Sequence, residues 1–310
     1  MAQPPPGARS YGNASKDFDL AAQKTPFMSN RRRVSIVVML ICLLVPIAMY
    51  AAVSAVISFT VHHSSPAFTW LVVFLGVLVV FLVSALAGTA IWMRYWLLDT
   101  TREPYWYVFL AVTTLLAFVF AVFLGLTNWW NNTLPFLELQ NLSVHPAVDP
   151  AMMTGRQLMD VGRVTFTPGS KLDLTHSIGF KNVDRYCVAP VVPPSGVPDS
   201  YDFWAIGLNC CSGNANDFHC GEYDSQAARS GLRLMRADQR SYYRLAVQQA
   251  EATYGLRASH PLFFYWMQDP DAELQSYRDD AGKYYLLGLA AVFFCQVLLL
   301  VLAVLGHQRL

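Results

Sequence analysis

Four long apolar stretches constrain this chain more than any other feature of its sequence. They run over residues 34–61, 68–93, 105–126 and 284–306, and none of them contains Asp, Glu, Lys or Arg. The hydrocarbon core of a bilayer is roughly 30 Å thick, and a helix of about 20 apolar residues crosses it. A soluble protein can bury one such segment in its core, but four in one chain predict four membrane-spanning helices.

Composition and charge indicate two different environments along the chain. Charged residues make up 14% of the sequence, against about 25% in typical soluble domains. Residues 128–282 carry 12 Lys or Arg and 17 Asp or Glu, a net charge of −5, whereas the rest carries 10 and 4, a net charge of +6. We therefore predict three spans over 34–127, one domain over 128–282, and the fourth span with a short end over 283–310. The Pro-rich residues 1–33 are predicted to form a disordered tail.

The basic residues beside the apolar stretches predict the orientation. Lys and Arg favour the cytosolic ends of membrane spans. In a four-span chain they all fall on one side of the membrane: Arg31, Arg32, Arg33, Arg94, Arg102 and Arg309. The connection over 62–66 has no Lys or Arg. Both termini should therefore be cytosolic, and residues 128–282 should be extracellular or lumenal, in the plasma membrane or an endomembrane.

Polar groups are sparse within the apolar stretches. Channels and pumps usually place ionisable groups inside their spans. These stretches contain no Asp, Glu, His, Lys or Arg. We expect Gln296 to hydrogen-bond a neighbouring helix, with a role in a transport pathway as the alternative. Pro46 frees a backbone carbonyl of the first span, and we expect a neighbouring helix to satisfy it.

Residues 128–282 should form a folded domain, because so long a loop without structure is unusual. Strand-like runs at 161–167 and 171–175 flank a Pro-Gly turn and predict a hairpin. Runs at 186–192 and 201–208 predict two more strands of a small antiparallel sheet. An amphipathic helix is predicted over 226–254. The predicted fold is therefore an all-α membrane four-helix bundle with an α+β, disulfide-bonded domain between helices 3 and 4.

The start of the fourth span is predicted to lie inside this domain. Asp269 followed by Pro270 is a favourable pair for the first positions of a helix. Such a helix would continue through Lys283 into the last apolar stretch and couple the domain to the membrane.

An arginine stripe is one candidate interaction surface. If residues 226–254 form one helix, five arginines share one of its faces: Arg229, Arg233, Arg236, Arg240 and Arg244. This stripe could dock an acidic partner or lipid phosphates. The simpler interpretation is a solvated face, or one neutralised by the acidic residues between Asp269 and Asp280. Nucleic acid is not an expected partner, because the domain is acidic and outside the cytosol.

An apolar run over 261–267 is a second candidate surface. It includes Phe263, Phe264 and Trp266. If the run is exposed, it is a contact patch for protein or membrane. If it is buried, it belongs to the core of the domain.

Four of the six cysteines lie in the domain, at Cys187, Cys210, Cys211 and Cys220. An even number in an oxidising compartment predicts two disulfides. A bond between the adjacent Cys210 and Cys211 would strain the peptide between them. Two pairings therefore stay open, with Cys187 bonded to either member of the doublet and Cys220 to the other. Zinc bound by the last three cysteines and His219 is a weaker alternative, because structural zinc sites usually space their cysteines about two to four residues apart.

Two sequons for N-glycosylation lie near the beginning of the domain, at Asn131 and Asn141. Asn131 directly follows the third apolar stretch and is close to the membrane. Asn141 is therefore the better candidate.

The layout resembles that of the tetraspanins. Four spans, a short first outer loop and a long second outer loop containing Cys210-Cys211-Ser212-Gly213 are similar to the tetraspanin plan, whose hallmark is a Cys-Cys-Gly doublet paired with later cysteines. The tetraspanin loop is helical. Residues 201–268 also resemble a segment of four-pass proteins from dinoflagellate-type protists, and that resemblance implies no function.

These features favour a non-enzymatic membrane organiser or surface interaction scaffold. It would contact membrane lipid and other membrane proteins, including further copies of itself, and would need no cofactor. The alternative is a subunit of a transporter or channel, which would need a hydrated cavity among the spans. An ectoenzyme would have to bring together side chains that no spacing indicates will converge: His176, Asp202, His219 and Glu222.

Overall fold

The computed structural model describes residues 35–96, 104–212 and 217–309. The predicted tail over 1–33, Arg102 and Gly213 lie outside these residues. The helices are, in chain order, α1 (Ile36–Ser58), α2 (Val61–Ser64), α3 (Pro66–Trp96), α4 (Tyr105–Asn128), α5 (Leu134–Gln140), α6 (Ala237–Tyr254) and α7 (Pro270–Arg309). Among the described residues α1, α3, α4 and α7 are long and apolar enough to cross a membrane. This confirms the four predicted helical stretches.

Small residues let the long helices approach each other closely. On α4, a Cβ added at Gly125 would lie 3.1 Å from Cβ of Ile57 on α1. On α7, a Cβ added at Gly288 would lie 2.1 Å from the hydroxyl oxygen of Tyr50, so that side chain packs directly on the backbone of α7. Close approach at small residues is a usual basis for helix packing in membranes, where lipid offers no hydrophobic driving force between helices.

A proline in α1 is compensated from α7. Pro46 has no N–H for the carbonyl of Cys42, four residues earlier in the same helix. Gln296 of α7 is buried, and its Nε2 donates a hydrogen bond to that carbonyl at 2.7 Å. The structural role predicted for Gln296 is therefore confirmed, and the carbonyl that Pro46 frees has its partner.

Two of the long helices continue beyond the bundle into the domain. A π-helical turn over Trp129–Thr133 joins α4 to α5 without a break. The α7 helix begins at Pro270, where Oδ1 of Asp269 accepts hydrogen bonds from the backbone N–H groups of Asp271 and Ala272, both at 3.0 Å. The predicted helix start at Asp269-Pro270 is thus confirmed. Helices α5 and α7 form a two-helix stalk between the bundle and the domain.

The described part of the domain contains one mixed sheet of eight strands. They are β1 (Ser143–Val148), β2 (Val161–Phe166), β3 (Lys171–Leu172), β4 (Ile178–Asn182), β5 (Asp184–Val192), β6 (Phe203–Leu208), β7 (Ser230–Arg233) and β8 (Leu262–Met267). Their spatial order is β1-β2-β7-β8-β6-β5-β3, with β4 beside β5. The β1–β2 and β6–β8 pairs are parallel and the other pairs are antiparallel.

The sheet confirms some predicted strands and corrects their pairing. The runs at 186–192 and 201–208 are indeed strands, β5 and β6, and they pair with each other. The hairpin predicted over 161–175 is wrong. Both edges of β2 are already paired, with β1 and β7, so β3 pairs instead with the end of β5, where Lys171 lies opposite Val192.

The helix predicted over 226–254 is also wrong in its first part. Residues Ser230–Arg233 form the central strand β7, and the helix begins only at Ala237. Gly231 explains the difference: its backbone lies against Phe264 of β8, where an added Cβ would be 2.7 Å from Cβ of Phe264. Glycine is unfavourable inside a helix, and at this position it allows a close contact within the sheet.

Three cores hold the domain together. Helix α6 covers one face of the sheet and buries Tyr243 and Val247 against Trp204. The opposite face has a second core around Phe166 and Trp266. A third cluster joins sheet and stalk and contains Phe136, Leu139, Leu232 and Leu274. The sheet therefore rests on the stalk through apolar contact as well as through its chain connections.

Replacing Gln296 with Leu should lower the free energy of unfolding, because the carbonyl of Cys42 then has no partner. Hydrogen bonds between membrane helices contribute about 0.6 kcal/mol on average and up to about 1.7 kcal/mol. In a Pro46→Ala background the new backbone N–H supplies the missing helical bond, so the same replacement should cost clearly less. Unfolding of the purified protein in detergent measures both costs.

Thr89→Val is a matched control for Gln296→Leu in the two backgrounds. The hydroxyl of Thr89 is exposed and bonds only within its own helix, to the carbonyl of Leu86 at 3.0 Å. Its replacement should change stability little in either background. Equal costs of Gln296→Leu in the two backgrounds would contradict the assigned role.

Candidate functional site

Two disulfides fix the end of β6. Cys187 is bonded to Cys211 and Cys210 to Cys220, so the structure selects one of the two pairings left open by the sequence. Both bridges lie on one face of the sheet, where an added Cβ at Gly179 would meet Sγ of Cys211 and one at Gly207 would meet Sγ of Cys210. Cys211 bonds to the neighbouring strand β5, and Cys210 bonds to the loop that ends at Cys220. The predicted disulfide cysteines are thus all paired.

The residues around the doublet do not fit a zinc site. Sulfur atoms of Cys187, Cys210 and Cys220 lie within 4.8 Å of one another, but each belongs to a disulfide. Zinc binds the thiolate form of cysteine, which a disulfide sulfur lacks. The ring of His219 lies instead with its Nδ1 3.1 Å from Oδ1 of Asp217.

The prediction of a single stripe of five arginines is wrong, because these residues belong to two different elements. Arg236, Arg240 and Arg244 are exposed, lie four residues apart at the start of α6 and share one face. Arg229 is exposed just before β7, and Arg233 lies within that strand. We call the first three residues the arginine face.

Arg233 has a structural role. Its Nη1 donates to the carbonyl of Val161 at 3.1 Å, and its guanidinium lies 5.9 Å from the ring centre of Phe264. Burial, together with the charge of Arg240, lowers the pKa of Arg233 to about 10, against an opposing effect of Asp160. This residue joins two strands and is not a free surface charge.

The acidic residues at the start of α7 do not neutralise the arginine face. Asp271 forms an ion pair with Arg163 of β2, and Asp280 pairs with Lys283 at 2.9 Å. Arg236 pairs with Asp238 at 3.2 Å. In the described part of the chain Arg240 and Arg244 have no ion pair, so they remain available to a partner.

The predicted aromatic contact patch is part of the core. Phe263, Phe264 and Trp266 lie in the central strand β8 and are at most 4% exposed. The apolar run over 261–267 therefore belongs to the core of the domain, and the predicted contact patch is wrong.

The polar residues considered for an ectoenzyme are bonded to separate partners. Asp202 is buried and accepts hydrogen bonds from the backbone N–H groups of Gly155 and His260. Glu222 accepts one from the backbone N–H of Gln268 at 2.7 Å. His176 bonds to Asp173 in the same short turn. Asp202 and Glu222 thus join segments that are distant in the chain, whereas His176 bonds within its own turn.

A groove lies where the stalk meets the sheet and the start of α6. Its volume is about 600 Å³, and its walls include Trp130, Met235, Arg236, Tyr265 and Tyr277. The indole of Trp130 is 64% exposed at the bundle end of the groove. Burial, together with the neighbouring Tyr277, raises the pKa of Tyr265 to about 12. Aromatic residues, Met and Arg are enriched in protein interfaces.

The sequence gives no local signal for this groove. Its walls come from the π-helical turn, α5, β7, the segment before α6 with the first residues of that helix, β8 and α7. In the sequence, Trp130 follows an apolar stretch, where aromatic residues commonly mark the end of a membrane span. Only the fold places it in the same groove as Arg236.

The two sequons differ in their surroundings. Asn131 lies in the π-helical turn, and the Thr133 hydroxyl of its sequon is buried and donates to the carbonyl of Ser58 at 2.6 Å. Asn141 is exposed directly after α5. Both asparagines are exposed, so the sequons differ in the helical turn and the buried threonine of the Asn131 sequon.

No protein-family model, curated protein or solved structure matches this chain. With the tetraspanin plan it shares four apolar helices and a disulfide-bonded Cys-Cys doublet between the third and fourth. The resemblance does not extend to the fold of the loop, because a mixed sheet stands where tetraspanins have helices.

The disulfide pairing predicts which thiol each single substitution releases. Cys220→Ser should leave Cys210 reactive, and Cys187→Ser should leave Cys211 reactive. Alkylation under denaturing, non-reducing conditions followed by peptide mass mapping identifies the released thiol. Cys42 and Cys295, which are not in disulfides, should be modified in every variant and are the internal control. Release of Cys211 by Cys220→Ser would contradict the pairing.

The Asn141 sequon should carry the glycan. Asn141→Gln should abolish the mobility shift that endoglycosidase produces, whereas Asn131→Gln should leave it unchanged, because the Asn131 sequon is helical with a buried threonine. Gel electrophoresis of protein expressed in eukaryotic cells makes the comparison. Absence of any shift in the unmodified sequence would contradict glycosylation at Asn141.

Proposed function

We propose that this protein is a non-enzymatic four-pass membrane scaffold that binds other membrane proteins, including copies of itself, at the base of its ectodomain. Both termini lie in the cytosol, and residues 128–282 lie in the lumen or outside the cell, where the domain is glycosylated. The groove lined by Trp130, Arg236 and Tyr277 is the observation that carries this proposal.

The position of the groove favours a partner in the same membrane. Trp130 follows directly after α4, so this wall lies at the end of an apolar helix, at the level where aromatic side chains meet the membrane surface. A juxtamembrane segment of a neighbouring protein reaches this level without rearrangement.

The chemistry of the groove favours protein over a small molecule. Trp, Tyr and Arg are the residue types that contribute most to binding energy in protein interfaces. The arginine face continues from Arg236 along α6 and provides positive charge at the rim, on a domain whose net charge is −5. Charge at a rim mainly steers association and selects partners, so an acidic partner segment is favoured.

The architecture suits a scaffold because the groove has little freedom to move relative to the bundle. One wall belongs to the continuous α4–α5 rod and another to α7, which runs through both the domain and the bundle. A pre-organised interface loses less entropy on binding. The apolar stretches contain no Asp, Glu, Lys or Arg, which favours a scaffold over a transporter or channel subunit.

A photoreactive amino acid at the groove tests this proposal. Benzoylphenylalanine at Trp130 or Glu138, in protein expressed in its native membranes, should give protein adducts of defined mass. Val183, which is 96% exposed in the β4–β5 turn and does not line the groove, should give none.

A charge reversal at the rim should weaken the same contact. The Arg236→Glu/Arg240→Glu variant should reduce the groove adducts by about tenfold, which corresponds to about 1.4 kcal/mol. Lys171→Glu/Lys181→Glu is the matched control, because both lysines are exposed on other strands. Groove positions that give only unmodified monomer would remove the basis of the proposal.

A further inference from the structure

A second recess lies inside the bundle, at its ectodomain end. It has a volume of about 540 Å³ and is enclosed by α1, α4 with the π-helical turn, and α7. Its walls combine polar side chains such as Ser58, Asn128 and Asn132 with the apolar side chains of Leu124 and Leu287, and none of its lining residues is charged. Ligand sites commonly have such mainly apolar walls with a few placed polar groups, at volumes of about 300–1,000 Å³.

One hydroxyl at the wall of this cavity has no partner in the described part of the chain. Ser58 is 1% exposed, and its Oγ makes no hydrogen bond among the described residues. Leaving a buried polar atom unpaired is unfavourable and rare in folded proteins. A ligand that reaches Oγ of Ser58 removes this penalty.

Other polar groups of the cavity are only partly used. The amide of Asn128 donates to the carbonyl of Ala281 at 2.9 Å, and the amide of Asn132 donates to Oδ1 of Asn128 at 2.8 Å. A side-chain amide has two donor hydrogens and one acceptor oxygen. Further hydrogen-bonding capacity therefore surrounds Ser58, enough for a ligand head with more than one polar atom.

The cavity is bordered by side chains that face the lipid. Tyr284 and Leu287 of α7 are 59% and 63% exposed, and Leu124 of α4 is 37% exposed. In a bilayer these side chains contact acyl chains, so a ligand can enter sideways from the leaflet and keep its apolar part along Leu124 and Leu287.

We propose that this cavity binds an uncharged lipid whose head combines a hydroxyl with a neighbouring ester or amide group, the chemistry of diacylglycerols and ceramides. The head bonds to Oγ of Ser58 and to the amides of Asn128 and Asn132, and the chains lie against Leu124 and Leu287. A phosphate-bearing head would bring a charge into a site that has no cation to pair with it, which is unfavourable. The proposal does not rest on the scaffold function, because no side chain of the domain's sheet or of α6 lines the cavity.

Photoaffinity labelling of the full-length protein in detergent tests the proposal. A photoreactive ceramide and a photoreactive diacylglycerol are the two probes, and the one that labels identifies the source of the shared chemistry. Labelling should saturate, be displaced by the same lipid without the photoreactive group, and map to peptides of α4 or α7. Photoreactive phosphatidylcholine and a photoreactive sterol, which offers a single hydroxyl, should give no saturable labelling.

Two neighbouring alanines of α7 provide a matched pair of variants. Ala291 lines the cavity and is exposed, so a larger side chain there can enter the opening without compressing the helix contacts. Ala291→Phe should reduce saturable labelling by about tenfold or more, a loss equivalent to about 1.4 kcal/mol. Ala290→Phe places the same ring on an exposed position that does not line the cavity, and labelling should be unchanged.

Ser58→Ala separates a ligand contact from a structural role. Saturable labelling should fall by about fivefold, within the range expected for one neutral hydrogen bond. The unfolding temperature without added lipid should stay the same or rise, because the hydroxyl has no partner in the protein. Unchanged labelling of Ser58→Ala or Ala291→Phe would overturn the proposal, as would saturable labelling by phosphatidylcholine or by the sterol, or none by either proposed lipid class.

Discussion

The hydrogen bond from Gln296 to the carbonyl of Cys42 fixes the helix on which the rest of the structure depends. Cys42 is buried, and a buried carbonyl without a partner is unfavourable, so α1 with its proline requires a donor from a neighbouring helix, and α7 supplies it. The contacts of α7 then recur along one side at helical spacing. From the bundle toward the domain they involve Gln296, Gly288, Tyr285, Ala281 and Leu274.

This single stripe connects the domain and the bundle through one helix. The last of these residues, Leu274, belongs to the cluster that contains Leu232 of the central strand β7. A shift of α7 by one residue would rotate it by about 100°. Such a shift would break the bond to Cys42 and the contact with the sheet together, so the register set inside the bundle also sets the position of the sheet.

Much of the fold can be predicted from local sequence signals, and the rest depends on contacts between residues that are distant in the chain. The long helices and the α7 start at Asp269-Pro270 follow from composition and helix-end chemistry within a few residues. The segment around Gly231 has helical periodicity, yet it forms strand β7, which pairs with β2 and β8 from distant parts of the chain. The disulfide pairing cannot be predicted from the sequence for the same reason, because only the pairing of β5 with β6 places Cys187 beside Cys211.

Neither recess has a signature in the sequence, and both depend on one local irregularity. The π-helical turn Trp129–Thr133 contains one more residue per turn than an α-helix would, and such turns often occur at functional sites. It directs Trp130 to the groove and Asn132 to the cavity, while Asn131 contributes to both. Thr133 anchors the turn to α1 through the carbonyl of Ser58, the residue whose hydroxyl is unpaired in the cavity. The two recesses therefore share a wall. The backbone carbonyl of Ser58 holds that wall in place, and the hydroxyl of the same residue is the group that a lipid head would contact.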